Sequence, residues 1–262
     1  MIPMAAITEW SNSVSWTDLH QVEQDLMISR VLCAIFQDDF LKTKLAFRGG
    51  TALHKLYLHP QKRYSEDIDL VQVDSEPIGD VLDRLREVLN FLGLPKTKQK
   101  MSNNVLLYQY SAESLPATKM RLKIEINCKE HLSVFEKVEV PFGVENKWYS
   151  GSSALLTYCF DELIGTKIRA LYQRKKGRDL FDLYFAICSG KLNAADAVQC
   201  FKTYMHFSNT AIPTARMFEL NLMEKLSDSQ FRKDIVPILN PDVHYDIDKA
   251  FETVNENIIA II

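Results

Sequence analysis

Residues 47–70 read FRGGTALHKLYLHPQKRYSEDIDL, and the architecture of the chain turns on them. Leu45-Ala46-Phe47 is a short apolar run that ends at Arg48-Gly49-Gly50, the pattern of a buried strand entering a turn. Gly49 and Gly50 lack a Cβ, so this turn can take positive φ and bring its backbone close to a ligand. Thr51 stands at the N-cap position of a helical pattern, Ala52-Leu53-His54-Lys55-Leu56, and a helix N-terminus attracts an anion such as a triphosphate. Asp67, Ile68, Asp69, Leu70, Val71 and Val73 fit a strand. Period-two geometry sets Asp67 and Asp69 on one face and Ile68 and Leu70 on the other. Two carboxylates on one strand face repel unless a cation lies between them, and Mg²⁺ takes carboxylate and phosphate oxygens. A lone Asp-x-Asp is ordinarily a polar strand face. Close behind a Gly-Gly-Thr turn it reads as a nucleotide-and-metal site.

Upstream, residues 1–15 read as irregular. Ser15-Trp16-Thr17-Asp18 then offers caps for a helix over 19–37, whose stripe of Leu19, Val22, Leu26, Ile28, Val31, Leu32 and Ile35 marks a packing helix. Downstream, Pro77 opens a helix carrying Ile78, Val81, Leu82, Leu85, Val88, Leu89 and Leu92, and Gly93 closes it. Lys96-Thr97-Lys98-Gln99-Lys100 reads as a basic turn, and residues 105–110 read as a strand. Met120 to Asn127 alternates cleanly, with Leu122, Ile124 and Ile126 on one side and Arg121, Lys123, Glu125 and Asn127 on the other. A further strand is expected over Val134–Val140, ended by Pro141 and Gly143. The small-residue break Ser150-Gly151-Ser152-Ser153 separates a mixed α/β half, 1–150, from a helical half, 151–262.

The second half opens with a helix expected over Ser153–Arg174. Lys167 lies on its apolar face, where it either snorkels out along its stem or meets triphosphate in a cleft. A basic turn, Arg174-Lys175-Lys176-Gly177-Arg178, precedes Asp179 and Asp182, which share a helix face; Asp179 also suits a helix N-terminus. The rest is helical by pattern, broken at Pro213, Pro237 and Pro241. Its aromatic residues, Phe201, Tyr204, Phe207 and Phe218, read as core.

The 262 residues suit one large domain or two small ones, and 47% apolar content is ample for a core. A net charge of −3 does not announce a nucleic-acid binder. The start, Met1-Ile2-Pro3-Met4, lacks a basic n-region and apolar h-region, so no signal peptide is expected, and no apolar run is long enough to span a membrane. Five scattered cysteines without a C-x-x-C pair suit reduced thiols and a cytoplasmic location, and six histidines show no zinc spacing.

The arrangement Gly49-Gly50-Thr51 … Ser65-Glu66-Asp67-Ile68-Asp69 resembles the first motif of polymerase-β-type nucleotidyltransferases. The order Lys167 … Gly177-Arg178-Asp179-Leu180-Phe181-Asp182-Leu183 further resembles the later motifs of the AbiEii/AbiGii toxin nucleotidyltransferases, which include the MenT-type toxins. The resemblance implies an α+β fold: a mixed-sheet nucleotidyltransferase domain, then a helical C-terminal domain closing the active-site cleft. It implies Asp67, Asp69 and Glu125 as ligands of two Mg²⁺ ions, with proton acceptance as a further role open to Glu125. Lys167 and Asp179 join these as residues of the reaction; Asp179 either belongs to the site directly or anchors Lys167 or Arg178. Gly49, Gly50, Thr51, Ser65, Lys167 and Arg178 are the implied nucleotide-binding residues; Ser65 either contacts phosphate or is a phosphorylation site that silences the enzyme. The biology implied is the toxin of a bacterial toxin–antitoxin pair in phage defence. It would transfer NMP from an NTP to the 3′ end of tRNA, beside a winged-helix antitoxin, with Arg121, Lys123, Lys175, Lys176 and Arg178 as a basic track. A protein- or small-molecule-modifying nucleotidyltransferase, and a nucleotide-binding module without turnover, remain the alternatives.

Overall fold

The computed structural model describes residues 2–100, 103–116 and 118–262; Met1, where the reading of the leader begins, lies outside them. The chain forms two compact units, residues 1–133 with 137–158, and residues 134–136 with 159–262.

Among the described residues the first unit has seven strands: β1 (Leu45–Arg48), β2 (Asp67–Gln72), β3 (Lys96–Lys100), β4 (Asn103–Ser111), β5 (Lys119–Asn127), β6 (Val138–Glu145) and β7 (Ser150–Thr157). They join one mixed sheet in the order β3-β4-β5-β2-β1-β7-β6. β2 runs parallel to β5 and antiparallel to β1, while β1 runs parallel to β7. Hydrophobic alternation sets the register. Leu106, Tyr108, Leu122, Ile124, Ile126, Ile68 and Leu70 are buried on one face, each large aliphatic side chain stabilising by roughly 2 kcal/mol. Lys123, Glu125, Asp67 and Asp69 lie on the other, half-buried. A slip of one residue would drive those charges into the core, so the pleat that buries the isoleucines also presents the carboxylates.

The α-helices of this unit among the described residues are α1 (Met4–Trp10), α2 (Leu19–Gln37), α3 (Leu41–Lys44), α4 (Gly49–Ala52) and α5 (Gly79–Val88). Asp18 caps α2, accepting from the His20 N–H at 2.8 Å. Most of α2 is buried, including the polar Glu23, Gln24, Asp25 and Ser29, each of which has a partner. Gln24 donates to the Arg121 carbonyl at 2.8 Å, Glu23 accepts from the Ser114 hydroxyl at 2.9 Å, and Asp25 accepts from Lys55 at 2.8 Å and Trp10 at 3.1 Å.

The second unit contains α6 (Phe160–Gln173), α7 (Gly177–Cys188), α8 (Ala194–Phe207), α9 (Ala215–Leu226), α10 (Ser229–Lys233) and α11 (Ile247–Asn257). Its core holds Leu163, Ile164, Ile168, Phe181, Phe201, Tyr204 and Phe218. Residues 134–136 belong here although their neighbours in sequence do not. The buried Glu162 carboxylate accepts the Val134 and Phe135 N–H groups at 2.8 and 3.0 Å, and the Tyr204 hydroxyl at 2.7 Å.

Several expectations change. Residues 4–10 are helical rather than irregular, and Lys96–Lys100 is an edge strand rather than a turn. The strand expected over 134–140 starts at Val138 and runs through Pro141 and Gly143, which an edge strand tolerates. Ser150–Thr157 is a strand, so the helix expected from Ser153 begins at Phe160. No helix among the described residues is long and apolar enough to cross a membrane.

Candidate active site

The site in the first unit follows from strand register. Asp67 lies opposite Lys123, Asp69 opposite Glu125 and, on its other side, opposite Arg48. Partners in register share a face of a sheet, so three carboxylates and two cations meet on it. The Lys123 ammonium lies 2.7 Å from Asp67 Oδ2 and 3.3 Å from Glu125 Oε2. Asn103, on β4, donates to Glu125 Oε1 at 2.6 Å. The Arg48 guanidinium donates to Glu130 at 3.1 Å.

The glycine turn lies directly against this cluster. Gly49 has φ +82°, and a Cβ there would come within 2.2 Å of Asp69 Oδ2 and 2.9 Å of its Cβ. Only glycine meets both demands. The helical segment α4 begins at Gly49 with Arg48 as its N-cap residue, so Thr51 is not the cap. It is buried in the first turn, where its hydroxyl donates to the Asp67 carbonyl and meets the Ser65 hydroxyl at 2.7 Å. Thr51 and Ser65 thus stitch the turn to the start of β2. The helix widens into a π-helical turn over Leu53–Tyr57, a distortion frequent at functional sites.

Burial pushes the Asp69 carboxyl above the usual carboxylate range, and the charge of Asp67 and, more weakly, Glu125 adds to the rise; Lys123 and Arg48 offset it only in part. Among the described residues no group of three or more His, Cys, Asp or Glu is arranged as a metal site. The donor chemistry nonetheless fits a hard divalent cation. Hard oxygen donors crowd one sheet face, and a cationic side chain already bridges two of them.

A second charged cluster lies in the second unit. The buried Lys167 ammonium is shared by Asp179 at 3.2 Å and Asp182 at 2.8 Å, and both aspartates are inaccessible to solvent. Arg174 grips Asp179 with two hydrogen bonds, 2.6 and 2.8 Å long. Burial alone would raise the Asp179 carboxyl; the Lys167 charge and the Arg174 hydrogen bonds outweigh it and hold the group below its ordinary value. Arg178 pairs with Asp234 at 3.6 Å, as Lys176 does at 3.5 Å, while Lys175 pairs with Asp228. Asn103 and Arg48 are partners that the motifs do not name, while Lys123, read as a basic-track cation, and Arg174, read as part of a basic turn, prove to be partners of the carboxylates. The alternation of Met120 to Asn127 sets Lys123 on the face of Glu125, but its contact with Asp67 comes from the pairing of β2 with β5.

The mixed sheet, the glycine turn and the paired carboxylates define a nucleotidyltransferase-fold protein. Its profile match is with the family described as "Nucleotidyl transferase AbiEii toxin, Type IV TA system", over residues 30–257, and the chain belongs to that family. No curated protein matches. MenT4, a nucleotidyltransferase toxin from Mycobacterium tuberculosis H37Rv, is 14% identical with a TM-score of 0.56, the match covering 100% of this chain and 99% of that one. JHP933 from Helicobacter pylori is 18% identical with a TM-score of 0.49, covering 92% of this chain and 90% of that one. The likeness to MenT4 concerns the fold.

Proposed function

We propose that the chain transfers a nucleoside monophosphate from an NTP to the 3′ end of tRNA, and that this transfer blocks translation. The observation that carries the reading is the register of Asp67, Asp69 and Glu125 on one sheet face, against the Gly49 turn. Asp67, Asp69 and Glu125 would hold Mg²⁺, which when bound lowers the pKa of the attacking hydroxyl and steadies the departing pyrophosphate. Gly49, Gly50 and Thr51 would take the β and γ phosphates on backbone N–H groups, with Ser65 beside them. In this reading Glu125, oriented by Asn103, accepts the proton of the attacking hydroxyl; a new bond forms from that oxygen to the α-phosphorus as the bond to pyrophosphate breaks.

Within the second unit this reading assigns Lys167 and Arg178 to phosphate binding, Lys167 sharing Asp179 with Arg174. Asp179 acts there as a positioning residue, since it already holds Lys167 and Arg174. An RNA acceptor is supported by the sheet face that carries the carboxylates. Register places Lys96 and Lys98 of the edge strand in line with Leu107 and Val105, and these in line with Lys123 and Glu125. Arg121 and Lys119 continue the same face, exposed. Its charged residues on β3 to β5 other than Glu125 are cations, an arrangement that suits a phosphate backbone leading toward the carboxylates. The same reading assigns a winged-helix antitoxin as partner, phage defence as context and the cytoplasm as location.

The test mixes purified protein with Mg²⁺, total bacterial RNA and each α-³²P NTP in turn, beside Asp69→Ala. Label on tRNA-sized RNA, absent with the variant, is the expected result. Label on protein or small molecule instead would replace the acceptor, and NTP binding without any transfer would replace the activity by a binding role.

A further inference from the structure

We propose that Lys123 is a tethered counter-ion which a divalent cation must displace from the carboxylates, so that this lysine sets the metal affinity of the site. The inference rests on the nucleotidyltransferase reading of Asp67, Asp69 and Glu125.

Three observations carry it. Lys123 stands opposite Asp67 and two residues before Glu125, so both strands aim it at the cluster. Its ammonium lies within 2.7 Å of one carboxylate and 3.3 Å of the other, which takes up the Asp67 oxygen nearest it. Its side chain is 34% exposed, so a route to solvent lies open on a flexible four-carbon stem. An ammonium and a divalent cation cannot both take the same carboxylate oxygen at contact distance, and side by side they repel. Metal binding therefore has to move Lys123 outward. Without metal, the lysine keeps Asp67 and Glu125 from repelling each other. The lysine that steadies the empty cluster is thus also its competitor for metal, and the freed ammonium is left at the edge where a phosphate would arrive.

Two measurements test this on the full-length chain. Mn²⁺ binding is titrated by electron paramagnetic resonance for wild type, Lys123→Met, Lys123→Arg and Asp69→Ala. Removing one positive charge next to the cluster should tighten Mn²⁺ binding about tenfold in Lys123→Met. Lys123→Arg should bind no tighter than wild type, and Asp69→Ala should lose the site. Separately, amine labelling of the wild type is followed by mass spectrometry with and without Mg²⁺; labelling at Lys123 should rise severalfold when Mg²⁺ is added. Equal Mn²⁺ affinity in wild type and Lys123→Met, or unchanged labelling, overturns the displacement while leaving the metal site standing. Absence of Mn²⁺ binding by both wild type and Lys123→Met would overturn the metal reading itself and the proposal with it. The labelling arm uses unaltered protein, so it decides the matter even where a variant does not fold.

Discussion

Asp69 is the residue at which folding and chemistry pull apart. Partial burial, with the charge of Asp67 and, more weakly, of Glu125 beside it, holds its carboxyl above the ordinary carboxylate range. A folded-state pKa above the unfolded value means that the native state holds this proton more tightly. The stabilisation is therefore present at low pH and is lost as pH rises through the folded pKa; above it, the ionised group is a cost. Asp69→Asn removes that cost, and at pH 7.5 in EDTA it should raise stability by about 1 kcal/mol, a few degrees in Tm. The gain should shrink as pH falls toward 4, and a lower Tm in the variant at pH 7.5 would contradict the account. The alternation of β2 and β5 made Asp67, Asp69 and Glu125 readable from residue order, since a strand has two faces and only one holds Ile68, Leu70, Ile124 and Ile126. Lys123 was readable only as a surface cation. Its engagement with Asp67 depends on the parallel pairing of β2 with β5, a relation between residues 56 positions apart that no local pattern carries.

The edge strand β3 shows the same limit for a whole element. Lys-Thr-Lys-Gln-Lys has neither apolar alternation nor β-branched density. It becomes a strand because β4 offers it a row of backbone partners from Leu107 to Asn103. Charged side chains are also what an exposed edge needs to resist pairing with another chain. β7, Ser150–Thr157, was opaque for a different reason: its serines and glycine read as a break, whereas its partners β1 and β6 flank it on both sides. The long helix α2 lay in plain view, with its cap, its stripe and its length. Functionally, β3 yields a sharp expectation. Lys96→Glu with Lys98→Glu should weaken binding of a tRNA to the metal-free protein, and should lower the slope of log K against log salt by roughly one to two. Thermal stabilisation by Mg²⁺-NTP should stay unchanged. Equal RNA affinity and slope would remove this face from the acceptor path.

At the scale of the molecule, two hydrophobic cores share one chain, and the helical character of residues after 159 was evident from periodicity. Nothing in local sequence marked residues 134–136 as part of the second unit. The assignment comes from Glu162, a buried acid whose lone pairs take two backbone N–H groups of that segment and a tyrosine hydroxyl. Glu162→Ala removes the carboxylate that these three donors share and should cost about 3 kcal/mol. Hydrogen exchange checks this by site: the Val134 and Phe135 amides should lose protection first, and unchanged exchange there would refute the role of Glu162.

The interleaving of 134–136 also bears on recombination. A gene cut at the obvious junction, between Tyr158 and Cys159, would separate Glu162 from Val134 and Phe135, whose N–H groups it accepts. The downstream fragment would carry an acid with no backbone donors from that segment. Because these donors are main-chain N–H groups, a relative's equivalent segment can take the place of residues 134–136 wherever its backbone follows the same path, so exchange of the helical part is expected to depend on the course of that segment and not on its side chains, although it lies on the other side of two sheet strands in the chain.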